Sequence, residues 1–235
     1  MKPALFAASV LSALLAGLAV PPAAAQEAAT LKKLKESGSI TLGHRESSIP
    51  FSYYDDRQQV IGYSHELMLK VVDALKAELK LAKLEVRLMP VTSANRISLV
   101  QNGTVDLECG STTNNLERQR QVAFSTSIFV IGTRLMTRKD SGIRDFADLA
   151  GKNVVTTAGT TSERLIRKMN EDRQMKMNVI SAKDHGESFL TLETGRAVAF
   201  MMDDALLYGE MAKARKPGDW VVVGTPQSKE AYGCM

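Results

Sequence analysis

Apolar positions along this chain switch between alternation and helical spacing, and the switches mark out its elements. Ile40 and Leu42 alternate with polar neighbours and predict a short strand ending at Gly43. Ser64 is a capping type, and after it Leu67, Val71, Leu75 and Leu79 recur every fourth position, which predicts a helix. Leu84, Val86 and Leu88 alternate as a strand stopped by Pro90. A helix over residues 93–100 opens at Ser93 and closes at Asn102-Gly103; residues 105–108 form the next strand. The order strand, helix, strand, helix, strand predicts a parallel α/β sheet. Ligands bind such sheets beyond the carboxyl ends of the strands, where the segments after Leu42, Met89 and Glu108 lie.

Residues 123–137 are extended and rich in β-branched side chains, which reads as a crossover into a second lobe. That lobe, 138–219, begins with a short helix over 146–149 and a strand over 154–157. The turn Ala158-Gly159-Thr160-Thr161-Ser162 then opens a helix through residue 169. Asp184, with Glu187 three residues on, has the pattern of a capping box, and Gly195 ends that helix. A strand over 197–202 runs straight into Asp203-Asp204 at a helix start. Residues 220–224 read as a strand that returns the chain to the first lobe. The expected organisation is 26–122 for the first part of lobe 1, 123–137 for the crossover and 138–219 for lobe 2. The return and the start of the C-terminal part of lobe 1 take 220–235.

Lys2, an uncharged apolar run over 5–20 and the small residues Ala23-Ala24-Ala25 form the pattern of a cleaved secretory leader over 1–25. The run is short for a membrane span, so an uncleaved anchor is the weaker alternative. Residues 26–38 then read as a mobile start with a polar helix near 31–35. Hydrophobic residues make up 44% and charged residues 24%, the balance of a globular protein. The net charge of +4 mildly favours an acidic ligand, but basic residues are interleaved with acids, so no nucleic-acid partner is expected. Two cysteines in an exported chain favour one disulfide, Cys109 to Cys234, with two unpaired thiols as the alternative.

Three arginines bring in the chemistry. Arg45, Arg96 and Arg118 lie on or beside turn-like segments at one sheet edge, and a guanidinium fork matches a carboxylate bidentately. Set against Asp203, they leave room for a ligand with two carboxylates. Ser93, Ser111 and Thr113 are helix caps, anion donors or both. His185 is a surface histidine or a neutral donor to a ligand, and Asp203 caps the next helix or receives an ammonium, with Asp204 free for the other task. No metal-ligand spacing, Gly-x-Ser-x-Gly, phosphate loop or dinucleotide fingerprint is present, and His44, His65 and His185 have no nucleophile partner in sequence. No catalytic residue, metal or cofactor is therefore expected.

Several stretches carry a closer resemblance. They include Gly43-His44-Arg45-Glu46-Ser47-Ser48, Glu108-Cys109-Gly110-Ser111-Thr112-Thr113-Asn114-Asn115, Ser181-Ala182-Lys183-Asp184-His185-Gly186 and Phe200-Met201-Met202-Asp203-Asp204-Ala205. In this order, from about residue 34 onward, the chain resembles the polar amino-acid family of periplasmic solute-binding proteins of bacterial ABC transporters. The resemblance implies a type II periplasmic-binding-protein fold, two α/β lobes joined by two crossovers that close over one amino acid, here glutamate or aspartate. Arg118, with backbone near Thr113, would hold the α-carboxylate. Arg45, Arg96, Ser93 and His185 would hold the side-chain carboxylate. Asp203, Ser111 and Thr113 would receive the ammonium, and Thr161 would close the site. A monomer that passes its ligand to inner-membrane permease subunits is implied, not an enzyme. The alternatives are a dehydratase-like enzyme of the same fold, acting on a small acidic substrate, and a receptor's sensor domain. The family continues for tens of residues past Tyr232-Gly233-Cys234, so a first lobe truncated at its C-terminus is expected here.

Overall fold

The computed structural model describes residues 23–235, so most of the expected leader, residues 1–22, lies outside the described residues. The described residues open with α1 (Ala23–Ser37), which includes the expected polar helix near 31–35 and extends it through what was expected to be a mobile start. Its Ala-, Leu-, Lys- and Glu-rich sequence consists mostly of strong helix formers, which accounts for the difference. Strand β1 (Ser39–His44) follows. A small antiparallel sheet comes next, built from β2 (Ser47–Ser48), β3 (Ser52–Tyr54) and β4 (Val60–Ile61). After it come α2 (Tyr63–Glu78), β5 (Glu85–Pro90), α3 (Arg96–Gln101) and β6 (Leu107–Glu108). Strand β1 lies between β5 and β6 and runs parallel to both, as the strand–helix alternation predicts.

The buried face of α2 differs from the expected one. His65, Met68 and Val72 are buried, whereas Val71 is exposed. A stripe at every fourth residue overruns the helical period and drifts around the cylinder, so the core picks up the neighbouring positions instead. Ser64 does not cap: Gly62 holds the cap position of a helix that starts at Tyr63, and the Ser64 hydroxyl donates to the carbonyl of Gly110 at 2.9 Å. Leu34, Ile40, Leu42, Met68, Leu84 and the cysteines Cys109 and Cys234 form one core. The two cysteines are bonded to each other. The chain end lies along β6, with Glu108 N–H donating to Met235 O and Met235 N–H to Glu108 O.

The short helix α4 (Leu116–Gln119) leads to β7 (Phe129–Ile131) and β8 (Thr133–Arg138). A 3-10 turn at Phe146–Leu149 precedes β9 (Asn153–Thr157), α5 (Thr161–Asp172), β10 (Asn178–Ala182) and α6 (His185–Glu193). The chain continues through β11 (Ala199–Asp203), α7 (Asp204–Lys213), β12 (Trp220–Val223) and β13 (Glu230–Tyr232). A five-stranded sheet has the order β10-β9-β11-β8-β12, parallel across its first three strands and antiparallel at β8 and β12. Every residue of β11 is buried, with Phe200 and Met202 in the core on one face and Ala199 and Met201 in the core on the other. Two-sided burial is why this strand reads as an unbroken apolar run.

Residues 220–224 were expected to carry the chain back, but β12 pairs with β8 at the edge of this sheet. Trp220 and Val222 pack into its core, which is where an apolar strand gains most. Likewise, most of β8 falls inside the stretch read as crossover yet belongs to the same sheet. The segments that pair between the two larger sheets are β7 and β13, antiparallel.

Candidate functional site

The parallel strands of both larger sheets end at one cleft, and each end delivers a polar side chain. Arg45 follows β1, and its backbone N–H donates to Ser52 Oγ at 2.9 Å. Arg96 opens α3 after β5, and Arg118 lies in α4 beyond β6. Opposite them, Thr161 starts α5 after β9, His185 starts α6 after β10, and Asp203 ends β11. Arg45, Ser93, Arg96, Ser111, Thr113, Arg118, His185 and Asp203 are all buried, and Thr161 is half-buried. Cys109 and Cys234 join just behind the loop that carries Ser111 and Thr113.

The arginines are anchored by neighbouring oxygens. Arg45 Nη1 donates to Ser111 Oγ at 3.4 Å, Arg96 Nη1 to the carbonyl of Ser111 at 3.0 Å, and Arg118 Nη1 to the carbonyl of Thr113 at 2.9 Å. Burial, with Arg96 as a like-charged neighbour, pushes Arg45 and Arg118 down to about 10; burial also lowers Arg96. Ser93 caps nothing: it lies in a turn before α3, and its Oγ has no partner among the described residues. Arg96 Nε and His185 Nε2 are unpartnered in the same way.

Asp203 does not cap α7 with its side chain. Its Oδ1 accepts from Ser162 Oγ at 3.0 Å and its Oδ2 from the hydroxyl of Tyr232. Asp204 takes the local task, accepting from the backbone N–H groups of Ala205 and Gly132. Burial and the nearby charge of Glu230 raise Asp203 to about 6.

The protonation of His185 follows from its hydrogen bonds. Ser188 Oγ donates to the carbonyl of Asp184 at 2.8 Å, so its one proton is used. The Thr157 hydroxyl, 2.8 Å from Ser188 Oγ, therefore donates to Ser188 and accepts from His185 Nδ1, also at 2.8 Å. Burial and the charges of Arg45 and Arg96 hold the ring neutral, well below its ordinary pKa. With the proton on Nδ1, Nε2 is a bare acceptor. In this tautomer Nε2 donates only after taking up a proton, in the charged form that a neighbouring anion favours.

Three site residues escaped the sequence reading. Glu108 is fully buried, accepts from Thr112 Oγ1 at 2.7 Å and faces all three guanidiniums. Glu230 Oε2 accepts from Thr113 Oγ1 at 2.7 Å and from Thr161 Oγ1 at 2.8 Å. Tyr232 holds Asp203. Glu230 and Tyr232 are two apart on β13 and both reach the cleft, a period-2 pattern too short to stand out in sequence. The three arginines therefore face three carboxylates, not Asp203 alone.

The family model of the bacterial extracellular solute-binding proteins, family 3, matches residues 40–213. The chain belongs to this family. With membership comes the type II periplasmic-binding-protein fold that the sequence resemblance implied. It is 65% identical to the L-glutamate/L-aspartate-binding protein of Pseudomonas aeruginosa, across 100% of this chain and 77% of that protein. It is 62% identical to the glutamate/aspartate import solute-binding protein of Escherichia coli K12, across 95% of this chain and 74% of that protein. The arginine-bound, truncated form of ArgBP from T. maritima superposes with a TM-score of 0.75 at 26% identity, covering 86% of this chain and 90% of that one. Among the described residues of this family 3 chain, no group of His, Cys, Asp or Glu is placed to hold a metal, and no helix is long and apolar enough to cross a membrane.

Proposed function

We propose that this chain captures glutamate or aspartate in the periplasm and delivers it, unchanged, to the permease subunits of an ABC importer, acting as a monomer. The observation that carries the reading is the set of unpartnered buried atoms Ser93 Oγ, Arg96 Nε and His185 Nε2. A buried polar atom left without a partner costs free energy, and a ligand carboxylate supplies what Ser93 and Arg96 lack. Burial and then the charges of Arg45 and Arg96 keep His185 neutral; the same carboxylate would offset the arginines and favour the protonated ring, whose Nε2 donates. Arg45 completes this end. At the other end Arg118, with the backbone near Thr113, would hold the α-carboxylate, while Asp203, Ser111 and Thr113 receive the ammonium. Thr161 would close over the ligand from the second lobe, the lobes turning about paired β7 and β13. The names of the relatives at 65% and 62% identity support the same ligands.

Calorimetry of the purified chain against glutamate, aspartate, glutamine and asparagine tests this. The acids should bind roughly a hundredfold more tightly than the amides, because an amide leaves a desolvated arginine short of its partner. Chromatography should return the bound amino acid unaltered. Equal affinity for acids and amides would overturn the assignment, and a converted ligand would overturn the transport reading.

A further inference from the structure

We infer that Glu230 is a positioning residue for the amine end of the ligand: its carboxylate commits the hydroxyls of Thr113 and Thr161 to act as acceptors, so that the cleft distinguishes an ammonium from a hydroxyl. This rests on the reading of the cleft as an amino-acid seat. A threonine hydroxyl has one proton, and an ionised carboxylate only accepts. The Glu230 Oε2 atom lies 2.7 Å from Thr113 Oγ1 and 2.8 Å from Thr161 Oγ1, and both protons point at it. What remains on each threonine oxygen is lone pairs. An oxygen in that state suits an N–H donor and repels a second acceptor.

The surroundings extend the same polarity. Thr161 and Ser162 are consecutive at the start of α5 and serve one carboxylate each, Glu230 and Asp203. Glu230 and Tyr232 are two apart on β13 and reach Thr161 and Asp203 in turn. Thr113 is itself bridged to Tyr232 through the backbone. Two carboxylates thus share one corner, and Glu230 raises the pKa of Asp203. A cation between them relieves that repulsion. An ammonium offers a positive charge and three donors, whereas a hydroxyl offers one donor, no charge and an oxygen that needs a donor from the wall.

Calorimetric competition between glutamate and 2-hydroxyglutarate, which carries a hydroxyl in place of the amine, tests this on the whole chain. Glu230→Gln removes the charge and one reason for both hydroxyls to face it. The preference for glutamate over the hydroxy acid should fall by about tenfold or more relative to wild type. Glu230→Asp keeps the charge and should retain most of the preference even where both affinities drop. Thr161→Val, at a half-buried position, should lower the preference several-fold and carries the test if Glu230→Gln does not fold. If Glu230 were only a latch across the cleft, both ligands would weaken together and the ratio would stand unchanged. That outcome, or equal strengthening of both, overturns the inference. So does a hydroxy acid that displaces glutamate from neither wild type nor variant. A wild type that binds no glutamate would instead overturn the proposed function itself.

Discussion

As the proposed seat of the ligand ammonium, Asp203 would have to be ionised, yet burial and Glu230 lift its pKa to about 6. An ammonium pressed against it would lower that pKa in the complex. Binding then releases protons near pH 6, so affinity is full above that pH and declines as pH falls through it. His185 would work the other way: burial and the arginines lower its pKa, and a ligand carboxylate beside it would raise that pKa, so that binding takes up a proton. Glutarate lacks the amine, so it reports His185 without Asp203. The ratio of glutamate to glutarate affinity should therefore drop as pH falls below about 6, and a flat ratio would remove Asp203 from the amine seat. At the other end, Arg96→Met takes away both the Nη1 bond to Ser111 and the unpartnered Nε. It should cost glutamate about 3 kcal/mol and glutamine much less, measured by the same titration. The arginines were legible in sequence because each stands in or just beyond a turn-like segment that follows an apolar strand. Glu230 was not, because Thr113 is 117 residues away from it and only the fold brings them together.

Among the elements, those with two-sided burial or a clear cap were the most legible. The strand ending at Asp203 and the cap at Asp184 both stand where the sequence put them, the latter accepting from Glu187 N–H at 2.9 Å. The capping box itself is shifted: the Glu187 carboxylate accepts from Lys183 N–H and not from Asp184. Strand β12 was misread because an apolar strand at a sheet edge and one crossing between sheets have the same pattern, and only pairing with β8 separates them. The disulfide could be read as a pair but not as a position. It joins the end of β6 to the strand-like tail after β13 and closes a loop of sequence separation 125. In the chain-entropy model, replacing both cysteines by serine should cost roughly 2–5 kcal/mol, read from the denaturant midpoint. Because Cys109 immediately precedes Gly110 and Ser111, glutamate affinity should fall as well. Loss of stability with unchanged affinity would mean that the loop holds its shape without the bond.

At the scale of the whole molecule, several of the contacts that cross the cleft are polar, beside the packing of Phe51 and Ile49 against the second lobe. Gly186 N–H donates to Ser47 Oγ at 3.1 Å, Arg118 Nη2 to the carbonyl of Gly159 at 3.4 Å, and Arg164 pairs with Glu117 at 2.9 Å. Lys213 lies over the Tyr53 ring at 4.9 Å. An exposed pair such as Arg164–Glu117 contributes little, so a ligand that touches both sides would supply most of the bias toward closure. Small-angle scattering should show a smaller radius with saturating glutamate than without it. Gly209 offers a way to block closure without touching the pocket. It lies on α7 against the loop before β3, and a Cβ there would overlap the carbonyl oxygen of Ile49. Backbone cannot retreat cheaply, so Gly209→Ala strains the arrangement in which α7 touches the Ile49 loop by about 1–3 kcal/mol. The same change removes a glycine from a helix interior, which by itself favours α7 by roughly 1 kcal/mol. If α7 and the Ile49 loop part when no ligand is bound, the variant should unfold no more easily than wild type without ligand, yet bind glutamate about tenfold more weakly and compact less when saturated. A drop in affinity matched by a drop in ligand-free stability would point to damage within α7. Unchanged affinity would show that α7 and the Ile49 loop do not approach each other when the ligand binds.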